Sequence, residues 1–141
     1  MSTPLQRRVE TLIGMFDDLA ADLPAETLAS HLGELRSNTI GQQLWCVVGG
    51  RETWAKAIPG AEWPGFKSSL ADPNDPAQVR AALTSSAAEI RAVLVPGLSE
   101  ASEELALGLL EHEAGHAGQL LRYVLGLRLE APPSWNEYFA L

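Results

Sequence analysis

Two histidines four residues apart, His112 and His116, are the residues of this chain best placed to do chemistry. On a helix, side chains at i and i+4 stand one turn apart on the same face. Both rings can then reach one ion, at roughly 2.0–2.1 Å if it is zinc. A single core histidine reads as a buried side chain hydrogen-bonded to a neighbour. Two on one stripe at ligand spacing, with Gln119 following on the same side, point instead to a shared ligand, because a helix interior rarely supplies partners for two desolvated imidazoles.

The segment His112-Glu113-Ala114-Gly115-His116 also fits the H-E-x-x-H pattern, in which the glutamate is general base to a zinc-bound water. The extended zinc-protease pattern needs a glycine and a third histidine where this chain has Gln119 and Arg122, so that reading is set aside. A ferritin-like di-iron site needs two Glu-x-x-His motifs, and Glu113 to His116 is the only one. A third ligand then has to come from another helix. Cys46 lies on a face with Gln42, Gly49, Gly50 and Thr53, residues small or polar enough to leave room for an ion. Three readings of Cys46 stand side by side: a thiolate ligand, a small buried hydrophobe, and a nucleophilic thiol activated by the histidines.

The elements that must position these residues follow from hydrophobic period. Leu5, Val9, Leu12, Ile13, Phe16 and Leu19 recur at steps of three and four and predict a first helix over 3–21. Pro24 interrupts it, and 25–35 carries a short helical turn or two with His31, read as a surface or hydrogen-bonded residue. Asn38 or Ser37 caps a second helix from Thr39 to Ile58, stopped by Pro59-Gly60. It has no charged residue between Ile40 and Gly50 and is expected to be buried nearly all round, as the central helix. The stretch 59–76, rich in Pro, Gly, Asp and Asn, reads as a long crossover pinned by Trp63 and Phe66. Crossovers of that length connect parallel neighbours or cover a site.

Val79, Leu83, Ala87, Ile90 and Leu94 predict a third helix, ended near Pro96-Gly97. Ser99 caps a fourth running to about Leu125, with Gly126 as its C-terminal cap. Its inward stripe reads Leu105, Leu109, His112, His116, Leu120, Tyr123 and Leu127. The tail with Pro132, Pro133 and Trp135 is expected to fold back across the bundle end.

The fold class expected is therefore all-α: one domain over 1–141, a four-helix bundle with a long crossover between helices two and three. With 141 residues, 46% of them hydrophobic, the chain can bury an ordinary core without a structural metal. Its net charge of −8 disfavours nucleic acid and anionic membrane as partners, and Arg7 and Arg8 are too small a basic spot to count against that. A lone cysteine, no secretory segment and no apolar run near the ~20 residues of a membrane span lead to the expectation of a cytoplasmic protein.

Two stretches resemble a known family. Leu44-Trp45-Cys46-Val47-Val48-Gly49-Gly50-Arg51-Glu52 resembles the second-helix motif of the DinB/YfiT-like superfamily, and Glu111-His112-Glu113-Ala114-Gly115-His116-Ala117-Gly118-Gln119-Leu120 resembles its H-x-x-x-H-x-G-Q motif on the last helix. Trp63-Pro64-Gly65-Phe66 and Pro132-Pro133-Ser134-Trp135 add to the likeness. The resemblance implies an antiparallel four-helix bundle, frequently a homodimer, that holds one divalent ion by three histidines. Known members include transferases and isomerases that use a low-molecular-weight thiol. Two of the family's histidines map onto His112 and His116, and the one on the second helix maps onto Cys46.

The function expected on these grounds is a metal-dependent thiol transferase or hydrolase acting on a small molecule. Its divalent ion, zinc sooner than nickel, is held by Cys46, His112 and His116, with Gln119 as orienter and Glu113 as candidate base. The alternative is a non-catalytic, stress-response type helical dimer that has lost its metal.

Overall fold

In the computed structural model, which describes residues 1–141, the chain is all-helical with no strands. Four long helices, α1 (Pro4–Ala20), α3 (Ile40–Gly60), α4 (Pro76–Val93) and α5 (Glu100–Gly126), are accompanied by two short ones, α2 (Ala25–Leu28) between α1 and α3 and α6 (Pro133–Phe139) after α5. No helix is long and apolar enough to cross a membrane.

Local chemistry sets the helix starts. Thr3 and Thr39 each form a reciprocal capping box, with Gln6 and Gln42 respectively, while Asp75 and Ser99 accept first-turn N–H groups at α4 and α5. Thr39, not Asn38 or Ser37, therefore caps the central helix, because only its hydroxyl has the glutamine three residues on. Pro59 does not stop that helix. It sits in the last turn, and the chain leaves through Ala61 in the left-handed region (φ 51°), whose N–H bonds to the Ala57 and Ile58 carbonyls. Gly126 is not a cap either: it is the last helical residue, and Arg128 takes the positive φ of 56°.

Each long helix has two main neighbours: α3 packs on α4 and α5, and α1 packs on the same two. The end of α3 meets the start of α5, where Ser102 donates to the Ile58 carbonyl at 2.8 Å. The start of α1 lies beside the end of α4, where Glu10 pairs with Arg91. Helices α3 and α4 both run from a larger hydrophobic cluster, containing Leu44, Val48, Val79 and Leu83, to a smaller one containing Ile58, Ala87 and Ile90. The segment 61–75 thus joins two helices that run in the same direction.

The tail closes the end of the larger cluster. Trp135 is fully buried edge-on to Phe16 and donates its indole N–H to the Met15 carbonyl at 2.7 Å. His31 is exposed, with Nδ1 2.8 Å from the Ser37 carbonyl, and Arg7 and Arg8 are exposed too. His31 is thus the surface, hydrogen-bonded residue that the sequence suggests.

Between the two clusters lies a charged layer. Arg51 of α3 and Glu113 of α5 are both fully buried and joined by two parallel hydrogen bonds of 2.7 and 2.9 Å. Arg51 also donates to the Leu83 carbonyl of α4 and stacks over the Phe16 ring of α1 at 5.6 Å. All four long helices meet at this one guanidinium. The planar fork of arginine suits such a bidentate contact, and pairing is what lets both charges leave water.

Candidate functional site

The seam between α3 and α5 brings His112 and His116 together. Their ring centroids are 4.6 Å apart with planes at 71°, and both rings are partly buried. They do not lie on the centre line of the buried stripe. Helix α5 turns Ser102, Ala106, Leu109, Glu113, Ala117 and Leu120 to the core, which leaves Leu105, His112 and His116 on its flank. Glu113, left off the inward stripe in the sequence reading, is in the core with its carboxylate on Arg51.

Each imidazole already has a partner from α3. His112 donates its Nε2–H to the main-chain carbonyl of Cys46 at 3.1 Å; a carbonyl only accepts, so this nitrogen carries the proton. Its ring occupies the space left by the missing side chain of Gly50, where a Cβ would stand 2.5 Å from Nε2. His116 has Nδ1 2.5 Å from Gln43 Oε1, so the side-chain amide fixes the ring and leaves Nε2 without a protein partner. Burial first, and the neighbouring His112 second, lower the pKa of His116 to about 4. It is neutral at pH 7.

The other expected participants fall elsewhere. Cys46 is partly buried at the right level of α3, but it meets His112 through its carbonyl, and its sulfur makes no hydrogen bond to either ring. Burial pushes the Cys46 thiol above its ordinary 9.0, away from the activated nucleophile that was one reading of it. Glu113 is not a candidate base: both of its oxygens are bound by Arg51 in the core. Gln119 is exposed and hydrogen-bonded to nothing, so the orienting amide is Gln43 instead. Gln43 looks in sequence like one more polar residue near a helix start, and only its contact with α5 reveals it.

The room expected around Cys46 is filled. Gly49 is packed by Phe66 and Ser68, Gly50 by His112, and the Thr53 hydroxyl binds the Gly49 carbonyl and the main chain of Lys67. Gln42 is spent on the helix cap. The crossover itself is tied down by Glu52, which accepts from the N–H and hydroxyl of Ser69, and by Ser68, which donates to the Trp45 carbonyl. Trp54 lies between Trp63 (4.7 Å) and the His112 ring (5.1 Å), and its indole N–H is the one buried side-chain polar atom without a partner. Aromatic anchoring of the crossover is thus realised next to the histidines.

No three His, Cys, Asp or Glu side chains are gathered closely enough to hold a metal ion. The arrangement leaves two imidazole nitrogens without a protein partner, Nε2 of His116 and Nδ1 of His112, the Nε2 of His112 being committed to the main chain. Cys46, His112 and His116 are not drawn together as such a group, since Cys46 meets His112 through its carbonyl. No protein-family model matches the chain, and no curated protein matches it closely enough to be a relative.

Proposed function

We propose that the chain is a four-helix bundle of the DinB/YfiT-like kind whose working centre is the His112–His116 pair, and that it is a metal-dependent enzyme of thiol-transferase or hydrolase type. The observation that carries this reading is the paired imidazoles at the α3–α5 seam, 4.6 Å apart, with His116 neutral and its Nε2 unengaged. A neutral imidazole with one nitrogen fixed by an outer partner is the form in which histidine serves a divalent ion. Zinc fits the Cys-His-His donor set better than nickel does. Cys46 would serve as third ligand only with its sulfur turned to the rings, so no reaction step is assigned to the ion. A small thiol as co-substrate and pairing as a homodimer belong to this proposal and rest on the resemblance; a cytoplasmic setting belongs to it too and rests on the lone cysteine and the apolar pattern of the sequence.

Metal content of protein purified without a metal-affinity column tests it. The reading predicts bound zinc in the native protein and its loss in His112→Ala; equal content in the two ends it.

The second reading, a helical scaffold without metal or turnover, is favoured by a specific observation: His112 and His116 each already hold a partner on α3, the Cys46 carbonyl and Gln43, and the space at Gly49 is filled by Phe66. Its mark is a melting temperature that a chelator does not move, whereas a bound ion adds folding free energy that the chelator removes.

A further inference from the structure

Helix α5 carries two inward stripes that compete. One is Leu105, Leu109, His112, His116 and Leu120, the more apolar by residue type; the other runs through Ala106, Glu113 and Ala117 and is the one buried. They share Leu109 and Leu120, so hydrophobic burial separates them poorly. What separates them is Arg51, one residue after the glycine that receives His112, bound through two parallel hydrogen bonds to Glu113, one residue after His112 itself.

We infer that the buried Arg51–Glu113 pair is a positioning device that selects the roll of α5 on α3 and thereby seats His112 against Gly50 and His116 against Gln43. A single hydrogen bond allows a helix to pivot; a planar fork with two bonds fixes both approach and roll. Arg51 is itself held by the Leu83 carbonyl and the Phe16 ring, so the fork is anchored to α4 and α1 rather than free to follow α5. In some proteins buried polar or ionic groups specify one arrangement among near-equals, a role distinct from adding stability, and the inference places this pair among them. This inference goes beyond the metal reading and stands whether or not an ion binds.

Long-range imidazole ¹H–¹⁵N spectra of metal-free protein test it, with far-UV circular dichroism as the check on folding. In Arg51→Met/Glu113→Met, apolar side chains of similar length continue the core, and helix content is expected to hold. The fixed Nε2–H signature of His112 is expected to give way to averaged tautomers, with the Nε2–H exchanging about tenfold faster or more. A folded double variant with the native imidazole spectrum overturns the inference, because the pair would then only fill space. If the double variant does not fold, Glu113→Gln decides: it keeps the side-chain shape and one bond to Arg51, and the inference expects a loosened His112 signal in a folded protein. An unchanged signal there overturns it equally. A failed zinc measurement with a changed imidazole spectrum sinks the metal reading alone.

Discussion

At the residue scale, the pair at the seam differs from two ordinary core histidines in having separate, chemically different partners. His116 rests on a side-chain amide and His112 on a main-chain carbonyl, and each bond decides which nitrogen is left over. The proton balance of His116 has a consequence for stability. Its folded pKa, about 4, lies below the ordinary 6.5, so between these values the unfolded chain binds a proton that the folded chain refuses. Stability is therefore complete above pH 6.5 and falls as pH drops toward 4, by about 2 kcal/mol once screening of a partly exposed ring is allowed for. Urea midpoints of native protein and His116→Gln across that window check this, and parallel curves would contradict it. Gly50→Ala is the second test at this scale. The added methyl would stand 2.5 Å from His112 Nε2 and 2.7 Å from Cδ2, so the ring must leave its seat and its bond to Cys46. The expected cost is about 1–3 kcal/mol. A melting temperature within a degree of the native value would refute the close fit.

At the element scale, α3 works as a two-sided ruler. Successive residues of Gly49-Gly50-Arg51-Glu52-Thr53 serve the crossover, α5, α5 again, and the crossover twice more. The crossover is thus fixed by polar contacts to the same short segment that receives His112. Glu52→Ala removes the acceptor for both Ser69 donors and is expected to free this segment locally, weakening it by about 1–3 kcal/mol. Cleavage by trypsin after the exposed Lys67 reports it: an increase of about tenfold or more is expected, and an unchanged rate would show that the aromatic anchors hold the crossover alone.

Helix period made most of these elements legible in the sequence, down to the Ser99 cap, the buried central helix and the Trp135 tail that folds back. The roll of α5 was not legible. A periodic reading sends charge to solvent, and the partner that reverses this for Glu113 lies 62 residues away on α3. The same limit hid Gln43 and made Gln119 look inward, since one flank of a helix is chosen only by what packs on it.

At the scale of the whole molecule, the core is two apolar clusters divided by one ionic layer, with the histidines beside that layer at the edge of the α3–α5 seam. Removing either ion-pair partner strands a buried charge at the point where the four long helices meet. Glu113→Ala is expected to cost about 3–5 kcal/mol. Chemical denaturation gives the number, and a loss below about 1 kcal/mol would mean that water reaches Arg51. The layer also explains how an acidic chain keeps an arginine out of solvent: each of the three guanidinium nitrogens has a hydrogen-bond partner.

The claim on which the function rests is that the His112–His116 pair takes a divalent ion. Anomalous scattering at the zinc edge, from crystals of untagged protein grown with equimolar zinc, tests it most directly. The account predicts a peak beside the two rings that is lost in His112→Ala; no peak, with His112 still on the Cys46 carbonyl and His116 still on Gln43, would contradict it.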